Sequence, residues 1–404
     1  MARAYQHTRY RLRHSGGLLS VSRTGVCAAI MGSAMLLAVS GQESLAGIDV
    51  RAAVAPTPFK GSDGRTHLAY ELVVNDIPRN GAQFDRIEVF AESDAKPLIT
   101  YAGSDLDQRV MRPDVDPKVR YGRAIPSSAI ALIHVWITLT EDRVPRVLRH
   151  SFQVSTEGGQ PLVVGDARVE VRSAPPIIVG SPFRAGAWLA HNGPGQHRSA
   201  HWGSALVAGR TARIPQRYAI DFIGLDDNGR AVRGDFRKSS NDDWIGFGRE
   251  VLAVLDGTVY AIRDGLVDNQ PLVEPPRPSS PSAANTYGNY VIIKAGDGTF
   301  VHYAHLQRNS VVVKAGEAVR RGHVIGRLGN SGNTNGAHLH FNITDGPDQE
   351  AMQGIPFVFD AVESLGSTTA DIALGAEPAA GQTRVASTTQ QRILPLDGAM
   401  VRFR

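Results

Sequence analysis

Short segments in which apolar and polar residues alternate recur along most of this chain, and they limit its fold more than any other feature. In residues 216–222, for example, Tyr218, Ile220 and Phe222 fall on one face and Asp221 falls on the other. This two-residue period is that of a β-strand, whose successive side chains point to opposite sides. The 42 Gly and 23 Pro residues favour turns between such segments, and no long amphipathic helical pattern competes with them. The sequence therefore predicts an all-β protein.

The order of these segments predicts two β-rich regions and a tail. Strand patterns separated by turn signals in residues 47–172 are typical of an immunoglobulin-like β-sandwich, which we expect to act as a binding or positioning module. Residues 173–360 form the second region, an antiparallel β-sheet domain that includes a Pro-rich loop at 268–285. Residues 361–404 are expected to be a mobile, low-complexity tail, with a strand returning at 392–403.

The first 46 residues resemble a secretory signal peptide. An Arg-rich segment precedes an apolar run of 14 residues at 26–39, and small residues at 44–46 fit a cleavage site. The run is short for a membrane span, so a retained anchor is the alternative and no stable span is expected after cleavage. We therefore predict a periplasmic or secreted protein.

Charge and cysteine content argue against nucleic-acid binding and against thiol-based chemistry in the mature chain. The leader carries five Arg against Glu43, a net charge of +4, which equals the net charge of the whole chain. The remainder is neutral overall, which gives no support for nucleic-acid binding. Cys27 lies in the leader and is the only cysteine, so the mature chain has no disulfide and no thiolate ligand.

Imidazole and carboxylate groups in the second region have the character of a metal site. His338 and His340 are two residues apart and share one face of a predicted strand. Asp221 and His305 lie on or beside other predicted strands of the same region. Mixed His and Asp ligands without cysteine fit a catalytic zinc site, which keeps one coordination position open for water.

The combination of these segments resembles the catalytic domain of the lysostaphin-type (LytM-like) zinc endopeptidases, which cleave peptides of the bacterial cell wall. The resemblance covers about 213–360 and is carried by three segments: 303–306 (Tyr-Ala-His-Leu), 319–332, and 337–341 (Ala-His-Leu-His-Phe). It implies a small antiparallel β-sheet domain with a groove. It also implies that Asp221 and His340 are zinc ligands and that His305 and His338 are non-ligand catalytic histidines.

One position departs from the family pattern. Four residues before Asp221, where the family has its first histidine ligand, this chain has Arg217, whose guanidinium offers no lone pair to a metal. We expect an upstream loop to supply the missing imidazole and favour His197, in a glycine-flanked loop, with His201 and His191 as alternatives.

The predicted function is that of an exported Zn²⁺ metalloendopeptidase that hydrolyses peptide bonds in peptidoglycan stems or cross-links. The alternative is a degenerate, non-catalytic copy that binds cell-wall peptide or activates a partner hydrolase. In that case Arg217 would neutralise the carboxylate of Asp221 in place of a metal. The predicted partners are peptidoglycan peptides and, through the N-terminal sandwich, a component of the cell wall or envelope.

Overall fold

A computed structural model describes residues 48–140, 143–156, 162–275, 286–296, 298–377 and 379–403. The predicted signal peptide at 1–46 and the second half of the Pro-rich loop lie outside these ranges. The described part of the chain is nearly all β, so the predicted fold class is confirmed. No helix within the described ranges has the length and apolarity needed to cross a bilayer.

The N-terminal region consists of two five-stranded sheets that enclose one apolar core. Strand β8 (Ala131–Leu139) pairs along its whole length with β3 (Thr66–Asn75), and β4 (Ala82–Ala91) pairs with β9 (Val147–Ser155), all antiparallel. One short helix, α1, packs against this core through Leu106. The first sheet contains β1 (Asp49–Ala52), β2 (Phe59–Lys60), β3 (Thr66–Asn75), β6 (Val110–Met111) and β8 (Ala131–Leu139), the second contains β4 (Ala82–Ala91), β5 (Ile99–Ala102), β7 (Ala124–Ile125), β9 (Val147–Ser155) and β10 (Leu162–Glu170), and α1 is Gly103–Arg109.

The C-terminal region is built on one eleven-stranded sheet with two small sheets beside it. Its central strands are buried on both faces, as the burial of β15 (Ile220–Leu225), β19 (Phe300–Leu306) and β22 (Leu339–Thr344) shows. The large sheet runs in the order β11 (Ile177–Val179), β23 (Phe357–Ser367), β25 (Ala399–Phe403), β12 (Gly186–His191), β15 (Ile220–Leu225), β22 (Leu339–Thr344), β19 (Phe300–Leu306), β18 (Asn289–Lys294), β17 (Gly257–Arg263) and β20 (Ala318–Val319), with β24 (Thr383–Ile393) on β23.

The remaining elements are short. Two-stranded sheets pair β13 with β14 and β16 with β21. These elements are β13 (Leu206–Ala208), β14 (Thr211–Arg213), β16 (Glu250–Leu252), β21 (Val324–Arg327), α2 (Ala370–Leu374) and 3₁₀ turns at Phe236–Lys238, Asn241–Asp243 and Ala379–Gly381.

The segment expected to be a mobile tail is part of the large sheet. Strand β25 lies within the predicted returning stretch and is inserted between β12 and β23, where Met400, Val401 and Phe403 are buried. Strand β24 forms a hairpin with β23, although nearly all of its side chains are exposed. The composition suggested a mobile segment because the side chains of β24 are mostly polar. The backbone of β24 nevertheless forms a regular antiparallel ladder with β23.

The two regions share an apolar core. Phe59, Ala69 and Met111 of the sandwich belong to the same buried cluster as Trp202 and Tyr218 of the C-terminal region. The rings of Phe59 and Tyr218 lie 5.6 Å apart in an edge-to-face arrangement. The sandwich therefore packs directly against the loop of Trp202 and the turn that precedes β15.

Candidate active site

Neighbouring strands of the large sheet bring the predicted ligands together. Asp221 on β15 lies directly opposite His340 on β22, and the Nδ1 atom of His340 is 3.0 Å from the Oδ1 atom of Asp221. On the other side of β22, Ala304 lies opposite His340, which places His305 next to the pair. Asp221 and His340 are both buried. Pairing between neighbouring strands therefore brings together Asp221 and His340, which are 119 positions apart in the sequence.

His201 completes this group. Its Nε2 atom is 3.3 Å from Oδ1 of Asp221, and it is buried in the turn that follows β12. One ligand atom from each of His201, Asp221 and His340 lies within 4.8 Å of the other two. Of the three upstream histidines considered from the sequence, the structure brings His201 to the group.

His197, the ligand favoured from the sequence, is not a member of this group in the structure. The hydroxyl of Tyr121, a sandwich residue, donates to the backbone oxygen of His197 at 3.4 Å, so this part of the loop packs toward the sandwich. Burial, reinforced by the positive charge of Arg109 on α1, lowers the pKa of His197 to about 4. His191 lies opposite Asp221 on β12 but is also not a member of the group.

A sequence signal distinguishes the two loop histidines. His201 is followed by Trp202, which is 2% exposed, whereas His197 stands between the polar residues Gln196 and Arg198. A large aromatic residue in a polar loop indicates where the chain turns into the core. The loop therefore enters the protein at 201–202, not at 197.

Arg217 does not contact Asp221. Strand β15 begins at Ile220, and Arg217 lies in the preceding turn, so the two residues do not share a strand face. The guanidinium is buried and pairs with the carboxylate of Glu71 on β3, with Nε 2.8 Å from Oε1. The carboxylate of Asp221 therefore faces imidazole rings and not a guanidinium.

The donor atoms fit a metal cation. Nδ1 of His201 lies 3.0 Å from the carbonyl oxygen of Asn192 and must carry the proton, because a carbonyl only accepts. In neutral His201 the lone pair of Nε2 then faces Oδ1 of Asp221, so two acceptors meet. His338 repeats this arrangement: its Nδ1 lies 2.9 Å from the carbonyl of Gly336, and its Nε2 lies 3.3 Å from the same Oδ1. Only a proton or a cation stabilises such convergent lone pairs, and two imidazoles with one carboxylate are a donor set that zinc accepts.

Asn192 is a member of the site that the sequence analysis missed. Its Nδ2 atom donates to Oδ2 of Asp221 at 2.9 Å, while its backbone oxygen accepts the proton of His201 Nδ1. Its φ of 51° is a left-handed conformation in which Asn is enriched among non-glycine residues. An Asn directly after a strand was the available signal. The two hydrogen bonds of Asn192 fix the orientation of Asp221 and His201, as residues around metal ligands commonly do.

His305 and His338 lie side by side at this group, with ring centroids 4.7 Å apart. Nδ1 of His305 lies 2.8 Å from the carbonyl oxygen of Ser331, so its Nε2 atom is the one free to accept a proton. Burial, together with the neighbouring His338 and His340, lowers the pKa of His305 and keeps it neutral. Its φ of 61° is rare for a non-glycine residue, and strain of this kind clusters at functional sites.

Asp221 and His338 form an electrostatic pair. Burial opposes the charge of Asp221, but His201 and His338 outweigh it and hold the pKa of this carboxyl well below its usual range. Burial also opposes charge on His338, yet the Asp221 carboxylate raises the pKa of His338 above its ordinary value. The ionised carboxylate is therefore the fixed charge around which the imidazoles are arranged.

These side chains line a cavity of about 410 Å³. Apart from Ala200, the rest of its wall is polar and uncharged: Asn192, Ser204, Gln216, Thr286, Tyr287, Asn333, Thr334 and Asn335. The described start of the Pro-rich loop borders it, since the backbone N–H of Leu272 donates to Asn335 and the side chain of Asn269 donates to the carbonyl of Thr334. Amide and hydroxyl groups of this kind can hydrogen-bond to peptide groups.

Comparisons with known proteins identify the region around this site. Residues 245–352 match the model of peptidase family M23. Peptidoglycan DD-endopeptidase ShyC of Vibrio cholerae is 36% identical over 95 residues, which are 23% of this chain and 19% of that protein. Peptidoglycan DD-endopeptidase ShyA of the same organism is 43% identical over 56 residues, or 14% of this chain and 13% of that protein. The matches thus span less than a fifth of either relative.

Among solved structures, the catalytic domain of the antimicrobial peptidase lysostaphin from Staphylococcus simulans is similar at 20% identity with a TM-score of 0.20, covering 30% of this chain and 84% of that one. The family match covers His305, His338 and His340, whereas Asp221 and His201 lie before it. The resemblance predicted from the sequence is confirmed by the match of residues 245–352 to peptidase family M23.

Proposed function

We propose that this protein is an exported zinc metalloendopeptidase that hydrolyses peptide bonds in peptidoglycan stems or cross-links. The observation that carries the proposal is the buried group of His201, Asp221 and His340 beside His305 and His338, at one cavity of an M23 domain. The two relatives named as peptidoglycan DD-endopeptidases support the substrate class.

In this proposal His201, Asp221 and His340 hold the zinc ion. When bound, the ion would supply Lewis-acid activation of water and of the scissile carbonyl. His305 accepts a proton at Nε2, because its Nδ1 is committed to the carbonyl of Ser331. His338 would act in its protonated form: Nδ1–H donates to the carbonyl of Gly336, and Nε2–H faces the same space, where it stabilises developing negative charge on the substrate oxygen.

The contacts of Arg217 give no support to the degenerate alternative. It required Arg217 to take the place of a metal beside Asp221, but that guanidinium is bound to Glu71. A binding-only domain also has no need of three imidazoles around one buried carboxylate oxygen. We therefore favour the enzyme over a peptide-binding module.

Export and partners are part of the same proposal. A peptidase acting on peptidoglycan works outside the cytoplasm, in agreement with the signal-like leader, so we propose a periplasmic or secreted location. We also propose that the outer face of the sandwich contacts a cell-wall or envelope component.

The test is digestion of purified peptidoglycan by the metal-loaded chain, with products identified by mass spectrometry. We expect one zinc per chain and release of cleaved peptides. His305→Gln should keep the zinc and lower the rate by about 10²- to 10⁴-fold, the usual contribution of a general base. His323→Ala, at an exposed position of the same domain, serves as the control. A chain that binds zinc but leaves peptidoglycan intact would refute the substrate; a chain that binds none would refute the enzyme.

A further inference from the structure

One buried carboxylate of the sandwich contacts both segments that carry the upstream ligands. Glu71 lies on β3 and has no exposed surface. Its Oε1 atom accepts a hydrogen bond from the indole N–H of Trp202, the residue after His201. The same carboxylate pairs with Arg217, in the turn leading into the strand of Asp221. Among the described residues, no other sandwich side chain reaches both segments by hydrogen bonds or ion pairs.

The segment of His201 depends on such side-chain contacts. Residues 199–203 form turns and take part in no strand, so no sheet ladder fixes the backbone of His201. Trp202 instead extends into the sandwich, where its ring lies 5.2 Å from that of His134 and 5.9 Å from that of Trp136. The hydrogen bond to Glu71 sets the depth and rotation of the indole and thereby the position of the adjacent His201.

The contact to Arg217 acts on the other ligand. Arg217 also donates to the carbonyl of Gly354 at 3.0 Å, which ties the turn before β15 to the loop that follows β22. Strands β15 and β22 carry Asp221 and His340. Glu71 thus connects the loop of one proposed ligand with the strand pair of the other two.

We propose that Glu71 is a positioning residue for the metal centre, acting through Trp202 and Arg217, so that the sandwich contributes to metal affinity. The inference rests on the proposed zinc site. It departs from the sequence-based view of the sandwich as a separate binding module. It also gives Arg217 a role: the residue at the usual ligand position joins the peptidase region to the sandwich.

The test measures zinc affinity by competition with a chromophoric chelator in the full mature chain. Glu71→Leu combined with Arg217→Met removes both buried charges together, because removal of either one alone leaves an unpaired charge. We expect zinc affinity to fall about tenfold, the low end of the effect of residues that orient metal ligands. The visible spectrum of the cobalt(II)-loaded protein should change as well, since it reports ligand geometry.

Two further variants separate positioning from general loosening. Trp202→Phe keeps an aromatic ring and the ion pair but removes the N–H donor, so it should weaken zinc binding and alter the cobalt spectrum by itself. Tyr218→Phe is the matched control: it deletes another buried hydrogen bond between the same regions, from the Tyr218 hydroxyl to the carbonyl of Ala69, and should leave both readouts unchanged.

The outcomes are distinguishable. Parental zinc affinity in Trp202→Phe and in the folded double variant would overturn the positioning role and leave the zinc site standing. An equal loss in Tyr218→Phe would also overturn it, because any loosening of the interface would then suffice. Absence of zinc from the parent protein would refute the proposed site itself, and this inference with it.

Discussion

At the residue scale, the difference between His197 and His201 is one of anchoring. His201 has Nδ1 bound to the carbonyl of Asn192 and is followed by a buried tryptophan, so its Nε2 atom is fixed toward Asp221. The backbone of His197 instead contacts Tyr121 of the sandwich. A metal ligand whose tautomer and orientation are already set loses less freedom on binding.

This difference predicts opposite results for two alanine variants. We expect His201→Ala to lose stoichiometric zinc, because it removes one of three protein ligands. His197→Ala should retain about one zinc per chain, because its imidazole is not part of the group. Atomic absorption on both proteins after dialysis against zinc-containing buffer checks the prediction. Zinc lost from His197→Ala and kept in His201→Ala would contradict it.

Four of the five side chains that meet at the candidate site were singled out from the sequence, by strand patterns whose geometry is local and by the resemblance to the lysostaphin-type family. The spacing of His338 and His340 and the alternation around Asp221 place these side chains once strands are assumed. His201 could only be offered as an alternative, since a loop has no period that fixes where a side chain points. The partner of Arg217 was inaccessible for another reason: Glu71 lies 146 positions earlier, on a strand of the other region.

At the element scale, β25 shows how far pairing extends beyond composition. The strand lies between β12 and β23, and its apolar side chains reach the core that also contains Phe222 of β15. A returning strand at 392–403 was predicted from the sequence, but its position in the middle of a sheet was not. Sheet order depends on contacts between distant segments, which a single strand pattern does not encode.

The position of β25 predicts a large cost for a substitution near the end of the described chain. Phe403 is 1% exposed and packs its ring 5.0 Å from that of Phe359. Phe403→Ala should lower the free energy of unfolding by about 3–5 kcal/mol, as a cavity replaces a buried ring. Val385→Ala, on the exposed face of β24, should change it by less than about 0.5 kcal/mol. Urea denaturation of both variants provides the measurement, and equal midpoints would place Phe403 outside the core.

At the scale of the whole molecule, the sandwich and the peptidase region pack together around buried charged and titratable side chains. His134 faces Trp202 across their contact, and neither of its ring nitrogens has a hydrogen-bond partner among the described residues. His150, deeper in the sandwich, binds the Tyr70 hydroxyl and the carbonyl of Ala167. Burial lowers the pKa of His134 and of His150 to about 4. Both are therefore neutral in the folded protein at pH 7.

These groups make the fold sensitive to acid. Between the unfolded pKa of 6.5 and the folded pKa of about 4, the unfolded chain binds protons that the folded chain does not. Stability is thus complete above pH 6.5 and falls as the pH drops toward 4, by up to about 1.4 kcal/mol per pH unit for each histidine. Burial by itself would raise the pKa of Glu71, but Arg217 outweighs burial and lowers this pKa. Protonation of Glu71 therefore adds to the loss of stability at still lower pH.

Substitution of one of these histidines should reduce this dependence by a predictable amount. His150→Gln keeps a polar group for Tyr70 but cannot be protonated, so the slope of unfolding free energy against pH between about 6.5 and 4 should decrease by up to about 1.4 kcal/mol per pH unit. His323→Gln, at an exposed position, is the control and should leave the slope as in the parent. Urea unfolding of the metal-free chain across this range measures both. An unchanged slope in His150→Gln would mean that His150 is protonated in the fold, and that burial in the sandwich does not exclude its charge.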